Sequence, residues 1–256
     1  MPKILSKSQV EQFIEEGYVR LEGGFSPETA ASCREILWKR IGLNPDDSSN
    51  WSKQLIHLAE SFSEGAFEDV WTPRIEGAFD DALGEGRYRK VASYGWWPIS
   101  FPGFESAPWD VVPGWHVDGI QFHHHVNSRE QGLLPIFLFS DIAPGDGGTS
   151  FYIGSHKITA KILAEAEPAG LDVHSLAKLV SDGCDLTDKT NVREGVGAEG
   201  DVLMMHPFML HTRSKNTGSR VRFICNPCVT LNEKMNLARS DGEYTPVEQA
   251  IVNAVS

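Results

Sequence analysis

Residues 134–153 read LPIFLFSDIAPGDGGTSFYI. Two short apolar runs flank Pro144-Gly145-Asp146-Gly147-Gly148, a cluster of turn-forming residues, and neither run has the length of an ordinary helix. The same texture extends outward on both sides. From Tyr88 onward, short β-like runs occupy 90–97, 113–125, 134–142, 149–153, 201–211 and 220–231, with Asn216-Thr217-Gly218-Ser219 a second clear turn. Many short strands joined by Gly, Pro and Asn turns predict a mainly β fold. Its core would be a double-stranded β-helix, a cupin-like jelly roll, with the N-terminal helices packed outside it.

Ahead of this core, the first 85 residues read as helices with one short strand. Ser6-x-x-Gln9 has the form of a capping box before Val10, Phe13 and Ile14, which share one helical face, and Gly17 ends that helix. Tyr18 to Leu21 alternates like a strand. Ser26 and Pro27 open a second helix that closes at Gly42, and a third stretch near Ile75 to Leu83 stops at Gly84. The segment 156–181 interrupts the strands with a helical pattern and is a candidate lid. No internal repeat or linker-like shift divides the chain, so one domain is expected over 1–256: a mainly helical lead-in (1–87), the core (88–231) and a C-terminal tail (232–256).

Composition narrows the function classes. With 23 Lys and Arg against 35 Asp and Glu, the net charge of −12 disfavours a nucleic-acid or anionic membrane surface, which calls for clustered cations. Four scattered cysteines do not make a disulfide framework, and no apolar run approaches the roughly 18 residues of a membrane span. The start of the chain lacks a secretory pattern. A soluble cytoplasmic enzyme of a small-molecule substrate is the expectation, with no nucleic-acid or membrane partner; oligomeric state is not legible.

The chemistry centres on His116-Val117-Asp118. In an extended strand, side chains two apart share a face, about 7 Å apart along the backbone, so His116 and Asp118 can clamp one ion. A second histidine from a distant strand would complete two imidazoles and one carboxylate on one side of a metal. That facial arrangement leaves open positions opposite and suits non-haem Fe(II) and O₂. His206 and His211 compete for the third place. Five apart on an unbroken strand, they would face opposite sides. Pro207 puts a break beside His206, whereas His211 closes the strand before a turn, which favours His211; His206 then reads as a packed, backbone-bonded histidine.

Beyond the 214–219 turn, Arg220-Val221-Arg222-Phe223-Ile224-Cys225 alternates polar with apolar residues. A guanidinium held inside a barrel costs several kcal/mol unless an anion faces it. A dicarboxylate co-substrate would supply that anion, and arginine offers it a planar, two-pronged partner. Arg222 lies deeper in the strand; Arg220, adjoining the turn, is expected to be solvated.

With these residues assembled, the chain resembles the phytanoyl-CoA dioxygenase family of Fe(II)/2-oxoglutarate-dependent oxygenases. The likeness runs from Val10-Glu11-Gln12-Phe13 and Gly17-Tyr18-Val19, through Trp115-His116-Val117-Asp118, Asp146-Gly147-Gly148 and Gly154-Ser155-His156-Lys157, to Gly200-Asp201-Val202-Leu203 and the 211–222 segment. In that family ten residues separate the last metal histidine from the co-substrate arginine, often with an asparagine between; His211, Asn216 and Arg222 fit, and His206 does not. The resemblance implies Fe(II) on His116, Asp118 and His211. It further implies 2-oxoglutarate with its far carboxylate on Arg222, and O₂ consumed as 2-oxoglutarate leaves as succinate and CO₂. Related halogenases carry a small residue where Asp118 stands, so its carboxylate points to oxygenation, most simply hydroxylation. Desaturation, epoxidation and ring closure use the same centre. The strand after the H-x-D segment, Leu134 to Phe139, offers no polar contact to the near end of the co-substrate; Thr149 and Ser150 are the substitutes at hand.

Three features compete for attention. His123-His124-His125 looks like a metal site, yet consecutive strand residues point alternately, and a capping or solvated cluster explains them better. Cys225-x-x-Cys228 lacks the partners that zinc needs. Trp96, Trp97 and Trp115 read as core, although Trp97, with Phe101 and Phe122, would permit an apolar or ring-bearing substrate near the site. Two other function classes stay in view: a barrel that holds a metal or ligand without turnover, and a cupin-like metal hydrolase or isomerase independent of 2-oxoglutarate.

Overall fold

In the computed structural model, which describes residues 2–256, the local signals at the N-terminus translate directly into structure. Helix α1 (Lys7–Glu16) begins with the Ser6/Gln9 capping box and ends at Gly17, whose φ of 86° lies where a side chain would be strained. Strand β1 (Tyr18–Leu21) follows. Helix α2 (Pro27–Ile41) is capped by Ser26, and α3 (Pro73–Leu83) by Thr72, each with proline in its first turn. A second strand, β2 (Leu55–Leu58), stands between them where only helix and loop are expected from sequence. Its mostly half-buried, poorly alternating residues give no period-2 signal, and pairing with β3 (Trp97–Ser100) is what makes it a strand.

The remaining strands are β4 (Leu134–Leu138), β5 (Thr149–Tyr152), β6 (Val192–Glu194), β7 (Val202–Met205), β8 (His211–Arg213) and β9 (Ile224–Cys225). They form a four-stranded sheet in the order β1-β7-β4-β9 and a three-stranded sheet in the order β6-β5-β8, with antiparallel pairing throughout. Leu134, Ile136 and Leu138 of β4, Leu203 and Met205 of β7, Ile224 of β9 and Phe151 of β5 pack into one cluster between the two sheets. The alternate residues Phe137, Val202 and Met204 join the larger core against the helices.

Helical residues outnumber strand residues, so the fold is a mixed helix/sheet one and not the mainly β one expected. Several predicted strands shrink to isolated bridges. The run 113–125 contains no strand; it is bends and turns held by the pairs Val111 with Ser214, His116 with His211 and His124 with Leu171. The run 201–211 is broken after Met205, next to Pro207, and resumes as β8. The helical insert is two helices, α4 (Ser155–Glu165) and α5 (Val173–Asp182). The tail closes with α6 (Pro246–Val255), packed on α1, α3 and α4. No helix among the described residues is long and apolar enough to cross a membrane.

Candidate metal centre

His211 opens β8 opposite Phe151, so the two side chains share the face that looks into the space between the sheets. The irregular segment before Asp118 lies along the free side of β8: His116 N–H donates to the His211 carbonyl and His211 N–H to the His116 carbonyl, both at 2.9 Å. This reciprocal pair brings the two imidazoles together, with ring centroids 4.3 Å apart. His211 therefore starts a strand and does not close one, a correction that follows from the break at Pro207.

Asp118 Oδ1 lies 3.6 Å from His116 Nε2 and 3.5 Å from His211 Nε2. One donor atom from each of these three residues falls within 4.8 Å of the others, the spacing of a metal-ligand set. The remaining nitrogens are engaged: His116 Nδ1 meets the Gly114 carbonyl at 2.8 Å and His211 Nδ1 the Met209 carbonyl at 3.0 Å. A carbonyl only accepts, so each Nδ1 carries the proton and each Nε2 presents a lone pair towards the shared centre. Asn226 Nδ2 donates to Asp118 Oδ2 at 3.0 Å, which orients the carboxylate with Oδ1 towards the histidines. Sequence reading missed Asn226; an amide just past β9 carries no signal without the contact itself.

Charge is arranged to match. Burial works against ionisation of Asp118, but attraction to the protonated forms of His211 and His116 and the hydrogen bond from Asn226 hold its pKa down at about 2. His211 loses basicity through burial and regains more from Asp118, so its pKa is raised. His116 is pushed down by burial and by His211.

Arg222 alternates with Ile224, a member of the inter-sheet cluster, and so faces the same space. It is 2% exposed, with Nη1 on the Gly147 carbonyl at 2.5 Å and Nη2 on the Pro98 carbonyl at 2.6 Å, while its Nε has no partner. No carboxylate forms an ion pair with it among the described residues, and burial lowers its pKa to about 10. Arg220 instead is half-exposed and pairs with Asp146 at 3.1 Å, as expected for the solvated neighbour. Thr149 lies on the inward face of β5 with Phe151, whereas Ser150 points to the opposite face, where its buried hydroxyl is unpartnered.

His206, His124 and His125 are held by other contacts. His206 is buried, with Nε2 on the Val247 carbonyl at 3.2 Å and Nδ1 accepting from Phe208 N–H at 3.2 Å. His124 is buried against the Gly119 carbonyl at 3.1 Å, and His125 faces Glu167 at 3.2 Å, so the triplet anchors the loop after Asp118 to the helical insert. Cys225 is buried strand-end packing, and the cysteines are all free.

A cavity of roughly 980 Å³ opens on the metal-ligand set; His116, Asp118 and Asn226 are part of its wall, as are Val173, His174 and Ala177 of α5. The aromatic wall differs from the one expected. Trp97 and Phe101 are fully buried in the core, and it is Trp96 that reaches the cavity. Trp96 has a φ of 57°, the sole positive value outside glycine among the described residues, a backbone state that costs about 1–3 kcal/mol.

Comparison with known proteins gives the family and the fold. No curated sequence matches significantly. The profile of the phytanoyl-CoA dioxygenase (PhyH) family matches residues 13–224. Among solved structures, the chain is similar to SnoK, a non-haem alpha-ketoglutarate-dependent carbocyclase from nogalamycin biosynthesis, at 19% identity and TM-score 0.60, covering 94% of this chain and 92% of that one. HygX from Streptomyces hygroscopicus, solved with nickel and 2-oxoglutarate, gives 12% identity and TM-score 0.53 over 90% and 88% of the two chains. EvdO2 from Micromonospora carbonacea var. aurantiaca, complexed with 2-oxoglutarate, gives 14% and 0.54 over 93% and 96%. A profile match across most of the chain shows that it belongs to the phytanoyl-CoA dioxygenase (PhyH) family and is, with that family, a 2-oxoglutarate-dependent dioxygenase.

Proposed function

We propose that this chain oxidises a small molecule, most simply by hydroxylation, at Fe(II) held by His116, Asp118 and His211, with 2-oxoglutarate anchored on Arg222. The observation that carries this reading is the coincidence of two free Nε2 atoms and one oriented carboxylate oxygen with an unpaired, buried guanidinium facing the same inter-sheet space. We read the two facing sheets as the halves of a double-stranded β-helix.

The residues present fit the group. Two neutral imidazoles and one carboxylate on one side are the donor set of non-haem Fe(II), and Asp118 leaves no small-residue gap for a halide. Bound iron, 2-oxoglutarate and O₂ supply the oxidising power, with succinate and CO₂ as by-products. The chain's own part is positioning and shielding. His116 and His211 are locked by the Gly114 and Met209 carbonyls, so their lone pairs stay aimed without reorganisation. Asn226 holds Asp118 so that one oxygen faces the centre. Arg222, already bridged to Gly147 and Pro98, has its charge and its Nε left for a carboxylate. Thr149 is proposed as a hydroxyl donor to the co-substrate from the neighbouring strand. Leu134, Ile136, Leu203 and Phe151 keep water from this space.

Anaerobic loading with Fe(II), then addition of 2-oxoglutarate and air, tests the reading through succinate release. The wild type should produce succinate and His211→Ala should not; equal output from both would remove the proposed centre.

A further inference from the structure

The burial pattern around the cavity is inverted. Five large hydrophobic side chains are exposed among the described residues, and the two most exposed, Ile120 at 76% and Trp96 at 72%, both line this one cavity. Scattered exposed leucines need no explanation, but two such side chains lining one concave site beside a candidate metal-ligand set do.

Trp96 is displayed by construction. Tyr94 before it pairs with Phe62 and is buried, and Trp97 after it begins β3 with its indole in the core. The positive φ at Trp96 lets the chain bury both flanking aromatics and still turn the intervening indole outward. Strain held between two anchored neighbours is a recurrent mark of a ligand-contacting position.

The cavity's charge is also distinctive in so acidic a chain. Its cations are Arg89 and Lys90, and its one carboxylate is the metal-ligand candidate Asp118. Lys90 is spent on Glu76, at 2.6 Å. Arg89 forms no ion pair among the described residues; its backbone is fixed by Arg89 N–H to the Thr230 carbonyl at 2.9 Å, and the residue is exposed. The volume lies at the upper end of small-molecule sites, beyond what an amino acid fills.

We propose that the substrate is a multi-ring compound with an anionic group, its flat body resting on Trp96 and Ile120 and its charge met by Arg89. This rests on the reading of the metal centre given above, since it takes the cavity beside that centre as the substrate site. An indole face favours planar rings over flexible chains because little conformational freedom is lost on stacking. A guanidinium adds a charge-assisted, two-pronged contact to a carboxylate or phosphate.

Equilibrium binding to the full chain, followed by calorimetry, tests this without turnover. The probes are anthraquinone-2-carboxylate, its uncharged 2-hydroxymethyl analogue and octanoate. Anthraquinone-2-carboxylate should bind wild type at least about tenfold more tightly than octanoate. Trp96→Ala should weaken it by roughly tenfold, with Trp96→Phe recovering most of the loss. Arg89→Ala should weaken the acid about fivefold or more and leave the hydroxymethyl analogue unchanged. Equal affinity for octanoate, or indifference of the aromatic acid to Trp96→Ala or Arg89→Ala, overturns the proposal. Succinate release by the wild type is read separately: its absence defeats the oxygenase reading, whereas its presence with Trp96-independent binding defeats only the substrate class.

Discussion

The two sides of the centre break the burial rule in opposite senses. On the inter-sheet side a guanidinium is buried without an anion; on the cavity side an indole and an isoleucine stand in water. Each is costly for the protein alone, by several kcal/mol for the unpaired cation and about 1–3 kcal/mol for the Trp96 backbone. A buried charge elsewhere is compensated: Glu248, equally buried, is met by both Nη atoms of Arg87 at 2.5 and 3.1 Å and by Asn236 N–H at 2.9 Å. A buried cation without an anion and two highly exposed apolar side chains around one group of residues are what ligands would complete, an anion on one side and an apolar ring on the other.

The comparison can be broken most severely at the shared ligands. His211→Ala should abolish tight Fe(II) binding, measured by competition with a chromogenic chelator, because two donors cannot hold the ion. Next comes the anchor. Arg222→Met should raise the KM for 2-oxoglutarate by about 100-fold while lowering stability to urea by no more than about 1–3 kcal/mol, since relief of a buried charge without an anion offsets the lost hydrogen bonds to the Gly147 and Pro98 carbonyls. A large loss of stability would mean that Arg222 is structural. Asn226→Ala should weaken Fe(II) binding by about tenfold, with thermal stability little changed, because only the orientation of Asp118 is lost.

Acidity provides a graded test. Burial opposes the His211 cation and Asp118 favours it, with the net result that its pKa is raised; the metal needs the neutral ring. Fe(II) affinity should therefore fall, by up to about tenfold per pH unit, once pH drops below that raised value. The smallest effect is expected at the paired charge. Burial opposes ionisation of Glu248, but Arg87 and the backbone donors of Asn236 and Thr245 hold its pKa at about 2. A depressed carboxyl stabilises the fold above its unfolded pKa, and that contribution is lost as pH falls from about 4.5 towards 2. Glu248→Gln should cost about 1–3 kcal/mol in urea melts at neutral pH, and the difference from wild type should shrink across that acidic window.

Legibility from sequence follows how local each determinant is. The capping residues Ser6 and Ser26 and the stops at Gly17 and Gly42 act within one turn, and those helices stand where the sequence places them. Strands of two to four residues owe their existence to partners far along the chain, which is why β2 was invisible and 113–125 was misread as strand. The ligand candidates were legible because their spacing is a chemical requirement; His211 lies beside His116 and Asp118, while His206 is bonded to the Val247 carbonyl, although the strand runs differently. Asn226 and Trp96 were not: one acts through a hydrogen bond across 108 positions, the other through a backbone angle.

Anomalous diffraction from crystals loaded anaerobically with Fe(II) tests the central claim most directly. The account predicts one iron peak within roughly 2.0–2.3 Å of His116 Nε2, His211 Nε2 and Asp118 Oδ1. A peak at His123 to His125, or a centre lacking any of the three, would contradict it.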